Sequence, residues 1–214
     1  MAAPSALARI QEAALRLYAE RGSRAITVSE LAETAGVSRG TIYNNVEHID
    51  ALYETVAAGL VHEMHLTVSA ALFDTADPAR RVATGVRMFL RRAHEEPQWG
   101  RFLVRFAAHD DNLRLLMNEP PLLDIANGIE TGRFKPGSLT PESIVSALVG
   151  ATFGAIHTVI AGRQTWREAG TATATLMLRA LGLDAEEAAR IAREELPAPP
   201  RNKRSNTRRR METP

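Results

Sequence analysis

Nineteen residues, TVSELAETAGVSRGTIYNN from Thr27 to Asn45, constrain this chain more tightly than any other stretch. Thr27 and Glu30 have the spacing of a capping box, and Ile26 and Leu31 that of a hydrophobic staple. Together they predict a short helix over 28–34. Gly36 supplies a turn that tolerates positive φ. Ser38 can cap a second helix running to about Asn45. Ala32 and Ala35 are small enough for the two helices to cross closely, and Val37 and Ile42 give the second helix a buried side. Its other side, Ser38, Arg39, Gly40, Thr41 and Asn44, is short and polar at the N-terminal end. These are the requirements of a helix-turn-helix whose second helix enters a DNA major groove.

The remaining pattern is helical as well. Alanine and leucine dominate, aromatic residues make up only 5%, and the 45% hydrophobic content can fill a sizeable core in 214 residues. Ser5 caps a first helix with Leu7, Ile10, Ala14, Leu17 and Tyr18 on its apolar side, ending at Gly22. Further helices are expected over 49–72, 78–94, 97–108, 111–131 (broken at Pro120–Pro121), 141–162 and 168–182, then a charged one before the tail. No alternating strand pattern and no internal repeat occurs. The expected fold is all-α with about nine or ten helices, divided into 1–48, 49–196 and a polar, disordered tail, 197–214.

The stretch TVSELAETAGVSRGTIYNNVEHIDALYETV, following one amphipathic helix, resembles the DNA-binding domain of the tetracycline-repressor (TetR) family over Ile10 to Val56. AGVSRGTIY is its most specific part. The resemblance implies a homodimeric transcription regulator, most often a repressor, with three N-terminal helices on operator DNA. It implies a C-terminal helical domain that binds a small molecule and dimerises through its last two long helices, with no cofactor. Carried over by position, Thr27 and Val28 would meet a phosphate, Arg39 would reach base edges beside the capping Ser38, and Gly40 would allow close approach. Thr41 would contact a base, Tyr43 a phosphate, and Asn44 and Asn45 would complete the DNA-facing set.

Charge and four positions depart from that pattern. Residues 1–50 carry a net charge of −1, whereas a DNA-binding face usually concentrates positive charge. The whole chain is +1, but the arginine-rich tail is +5 and leaves the remainder at −4. Asn45 and Val46 stand where the family has basic or aromatic residues, and His48 and Ile49 replace a capping serine and a lysine. A family descendant with weakened DNA reading, acting as a dimeric ligand- or protein-binding module, is therefore the alternative.

For the C-terminal domain the expected pocket lining is Phe89, Trp99, Phe102, Phe106, Phe134 and Phe153, with His109 and His157 as polar points. Such a lining suits a small hydrophobic or aromatic effector. Ala147, Gly150 and Gly154 give one helix a smooth side, which with Leu176 and Arg179 would form a dimer interface. The apolar run SIVSALVGATFGAIHTVIAG has membrane-spanning length, but its serines, threonines and histidine point to a buried helix and no membrane partner. There is no cysteine, HEMH at 62–65 lacks the zinc-protease spacing, and no nucleophile elbow or phosphate loop is present. A non-enzymatic cytoplasmic protein is expected.

Overall fold

The computed structural model describes residues 4–107 and 110–197, and the backbone alone at 114–116. Among the described residues there are ten α-helices and no strand. They are α1 (Ala6–Arg21), α2 (Val28–Ala35), α3 (Arg39–Asn45), α4 (Leu52–Ala71), α5 (Pro78–Glu95), α6 (Pro97–Phe106), α7 (Asp111–Glu130), α8 (Pro141–Ile160), α9 (Trp166–Ala180) and α10 (Ala185–Arg193). The tail from 198 onward and His109 lie outside the described residues.

Most helix starts are written locally. Ser5, Thr27, Ser38, Asp77, Asp110, Thr140, Thr165 and Asp184 each accept a backbone N–H in the first turn with the side chain. Pro78, Pro97 and Pro141 occupy first-turn positions, where no helical N–H is needed.

Two sequence expectations are corrected. α7 runs unbroken through Pro120 and Pro121. Each proline removes a helical N–H and crowds the carbonyl four residues earlier. The packing of α7 against α4, α5 and α8 holds the helix across that defect. The helix expected from Ile49 instead begins with a 3-10 turn, Ile49–Ala51, and α4 follows at Leu52. His48 precedes the turn without a side-chain capping bond, so nothing stabilises a regular α start there.

α5 is the central helix, packed against α6, α7, α8 and α9, while α10 covers α9 and α5. α1 packs on α2, α3, α4 and α6. Buried residues of all these helices join one hydrophobic cluster, so the N-terminal helices share a core with the C-terminal ones.

Candidate functional site: an exposed recognition helix and an internal cavity

The helix starts and the turn of the N-terminal unit are set by contacts within a few residues. The Thr27 Oγ1 accepts the Glu30 N–H at 3.2 Å, and the Glu30 carboxylate accepts the Thr27 N–H at 2.9 Å. Arg21 binds the same carboxylate at 2.6 Å. The Arg21 bond, followed by the two from Thr27, holds the Glu30 carboxyl down at about 2. The Thr27 hydroxyl donates to Glu30 at 2.8 Å, so it must turn away before it can donate to a phosphate. The Val28 N–H sits in the first turn of α2, where helical N–H groups have no intrahelical acceptor.

At its other end α2 closes with Gly36 at φ +61°. The Gly36 N–H donates to the Glu33 carbonyl at 3.1 Å and the Val37 N–H to the Ala32 carbonyl at 3.0 Å, the paired bonds of a Schellman turn. Arg9 of α1 clamps this turn, donating to the Ala35 carbonyl at 2.7 Å and the Gly36 carbonyl at 2.5 Å. No local pattern in the sequence announces Arg9.

α3 starts on Ser38, whose Oγ accepts the Thr41 N–H at 3.1 Å and lies 2.9 Å from the Thr41 hydroxyl. Ile42 is buried, while Ser38, Arg39, Gly40, Tyr43, Asn44 and Asn45 are exposed. Tyr43 is 67% exposed, an unusual position for an aromatic ring with no bonding or ring partner among the described residues. A methyl group on Gly40 would meet only the Ser38 Oγ at 3.7 Å, so nothing among the described residues requires glycine there. Asn45 is already engaged: its amide donates to the Thr41 carbonyl at 2.8 Å. The candidate DNA residues therefore lie on α3 and at the start of α2.

The junction to the C-terminal helices is aromatic and charged. Tyr53 of α4 meets Tyr18 of α1 and Phe102 and Phe106 of α6 at ring separations of 5.4, 5.6 and 5.1 Å. The Tyr53 hydroxyl and Arg24 each donate to Asp110 Oδ2 at 2.9 Å. The other Asp110 oxygen accepts the Leu113 N–H at 2.9 Å and so caps α7. Burial alone would raise the Asp110 carboxyl, but the Leu113 N–H, the Tyr53 hydroxyl and Arg24 bring it below the usual range. Burial, then the bond to Asp110, pushes the Tyr53 phenol up.

A cavity of about 100 Å³ lies between α4, α5, α7 and α8. Val82, Val86, Phe89, Leu148, Val149 and Phe153 supply much of its apolar wall, and His65, Ser69, Arg81, Asp124 and Thr152 its polar groups. Burial pushes the His65 imidazole down; Glu119 opposes this and His62 adds to it. Of the expected lining, Phe89 and Phe153 are present. The other aromatics are placed elsewhere, because large rings at helical spacing fill the core. Phe102 and Phe106 form the junction. Trp99, 1% exposed, stands behind Phe89 with ring centroids 5.6 Å apart. Phe134 lies flat on Gly128, where any Cβ would collide with its ring. His157 is exposed on α8.

Ala147, Gly150 and Gly154 of α8 and Leu176 and Arg179 of α9 are all exposed in the single chain. A Cβ on Gly150 or Gly154 would meet nothing within 4 Å. By length and composition α8 could cross a membrane, and only 33% of its most apolar window is buried.

Short helix, glycine turn and exposed polar second helix, attached to an all-helical domain with a cavity between four helices, define a helix-turn-helix DNA-binding regulator. Residues 10–54 match the family of bacterial regulatory proteins of the tetR type, and residues 77–194 the tetracyclin repressor-like C-terminal domain. The chain belongs to the TetR family of transcription regulators and is not an enzyme. An HTH-type transcriptional regulator of Mycobacterium tuberculosis is 28% identical over 89 residues, 42% of this chain and 44% of that protein. The chain thus spans less than half the length of that curated relative. RolR, solved in complex with resorcinol, is 27% identical with a TM-score of 0.69, covering 91% of this chain and 96% of that one. A TetR-family regulator from Shewanella sp. PV-4 shares the fold at TM-score 0.72 and 18% identity, covering 85% of this chain and 100% of that one.

Proposed function

We propose that this regulator is a cytoplasmic homodimeric repressor, that it binds a pseudo-palindromic operator, and that a small hydrophobic or aromatic effector releases it. The cavity carries the reading. α4 lines it through His65, Val68 and Ser69, with Leu72 at its end, and the same helix meets the N-terminal unit where Tyr53 packs on Tyr18. A ligand that favours one spacing of the two recognition helices would shift the dimer between states that fit and do not fit successive major grooves. On α3, Arg39 reads base edges, with Ser38, Gly40, Thr41 and Asn44 beside it and Tyr43 on phosphate. At the start of α2, Thr27 and Val28 add phosphate contacts. Asn45 supports α3 from its own helix. The open sides of α8 and α9, at Ala147, Gly150, Gly154, Leu176 and Arg179, pair with a second copy rather than with lipid. RolR, whose structure contains resorcinol, supports an aromatic effector.

The uncapped His48 and the −1 charge of residues 1–50 favour a second reading, in which DNA affinity is weak and the dimer acts as a ligand or protein binder. One experiment separates them. A duplex enriched from random DNA is bound by the full chain and titrated with resorcinol. Release that Gly85→Leu abolishes, with DNA affinity unchanged, supports the repressor. Enrichment of no sequence supports the second reading.

A further inference from the structure

We propose that Arg208, Arg209 and Arg210 are a second DNA-binding element, which grips backbone phosphates while α3 reads bases. The proposal needs only that the chain binds DNA, and it assigns phosphate neutralisation to residues outside the helix-turn-helix.

The recognition unit has committed its positive charge elsewhere. Arg9 donates to the Ala35 and Gly36 carbonyls. Arg16 pairs with Glu20 at 2.9 Å, Arg21 with Glu30 at 2.6 Å and Arg24 with Asp110 at 2.9 Å. Of the arginines in residues 1–50, Arg39 alone makes no bond among the described residues, and it stands at the first position of α3, where bases are read. Glu12, Glu33, Glu47 and Asp50 are exposed and pair with no cation among the described residues. A phosphate approaching this surface therefore meets more free carboxylate than free guanidinium. Phosphate neutralisation nevertheless supplies nearly all sequence-independent affinity for DNA.

The densest supply of that charge follows α10 in sequence. Residues 201–210 include Arg201, Lys203, Arg204, Arg208, Arg209 and Arg210 and no acid. Such a run attracts polyanions in general. The tether decides among them: a segment joined to a DNA-bound recognition helix meets the same duplex at an effective concentration that a free polyanion does not match.

Reach selects the residues. The chain leaves α10 at the far end of α4: Glu194 binds Arg80 at 3.1 Å, and the adjacent Arg81 points to the Leu72 carbonyl, just past α4, at 3.3 Å. Leu196 still packs on the core. The near end of α4 meets the recognition unit, where Tyr53 packs on Tyr18. With 20 residues α4 is about 30 Å long, and one more helix diameter, about 10 Å, puts the DNA surface about 40 Å from the exit. Arg201 to Arg204 follow Leu196 by 5 to 8 residues, a span of at most about 16 to 26 Å. Arg208 to Arg210 follow it by 12 to 14 residues, about 40 to 46 Å, and so can arrive at the backbone.

Fluorescence anisotropy of the full chain on a mixed-sequence duplex of about 40 base pairs, between about 50 and 200 mM salt, tests this. Each phosphate contact adds about 0.9 to the slope of log affinity against log salt, so Arg208→Ala, Arg209→Ala and Arg210→Ala combined should flatten it by about 2.7 per copy bound. Across that salt range the unaltered chain should then lose about 40-fold more affinity than the variant. The same three positions changed to lysine should keep the slope, because a point charge suffices for a phosphate. Arg201→Ala, Lys203→Ala and Arg204→Ala combined should change it far less. A flattening below about 1 by the first variant overturns the proposal, as does an equal flattening by the last. So does a loss confined to binding of phosphatidylglycerol vesicles, which would make the partner a lipid surface. If the slope flattens but no sequence is enriched from random DNA, the operator reading fails and this one stands. If a sequence is enriched and the slope does not change, the reverse holds.

Discussion

The recognition unit and the cavity are built on opposite principles. In α2 and α3 the decisive bonds join residues three apart, Thr27 with Glu30 and Ser38 with Thr41. In the cavity wall the Arg81–Asp124 pair joins residues 43 positions apart, and four helices must pack before the space exists. A short-range device can be read along the chain, whereas a long-range one appears only when the helices are assembled. The outward side of α8 belongs with the cavity in this respect, since its purpose shows only in what the single chain leaves uncovered.

The largest predicted effect tests the long-range half. If α8 and α9 pair with a second copy as proposed, Gly150→Arg combined with Gly154→Arg should leave a monomer in light scattering while the helical circular dichroism is unchanged. A Cβ at either position meets nothing within 4 Å among the described residues. A persistent dimer would place the interface elsewhere.

The next tests the short-range half. Gly36→Ala forces a Cβ into a φ of +61° and within 2.9 Å of the Arg9 Nη2. It should lower unfolding free energy by about 1–2 kcal/mol, read by denaturant titration. No loss would mean that the turn relaxes to another conformation.

A smaller effect is expected where the two halves join. Tyr53→Phe removes the hydroxyl bond to Asp110 and should cost about 1 kcal/mol while keeping the ring contacts. The same junction responds to acid. Because the Asp110 carboxyl is depressed, the stability it adds is fully present above about pH 4 and is lost as pH falls through its lowered value. Asp110→Asn should flatten that part of the stability curve.

Particular residues show how far the sequence could be read. The capping box at Thr27, the turn at Gly36 and the cap at Ser38 are local chemistry, and they stand where the sequence places them. Phe89 and Phe153 line the cavity, but Phe102, Phe106, Trp99 and Phe134 serve packing, because helical spacing gives a ring's face and not its neighbour. Arg9, the bonds of Arg24 and Tyr53 to Asp110, and the Arg81–Asp124 pair carried no local signal, since each acts across elements distant in sequence. The two prolines of α7 misled in the other direction. Their intrinsic tendency to break a helix was overridden by packing around the cavity.

The proposal that α3 reads DNA through Arg39 is open to direct measurement. Fluorescence anisotropy with the duplex that the unaltered chain enriches from random sequence tests it directly, comparing that chain with Arg39→Ala at two salt concentrations. Arg39→Ala should lose about 1–3 kcal/mol in specific binding, roughly 10- to 100-fold in affinity, with non-specific binding little changed. Equal affinity of the two proteins for that duplex would contradict it.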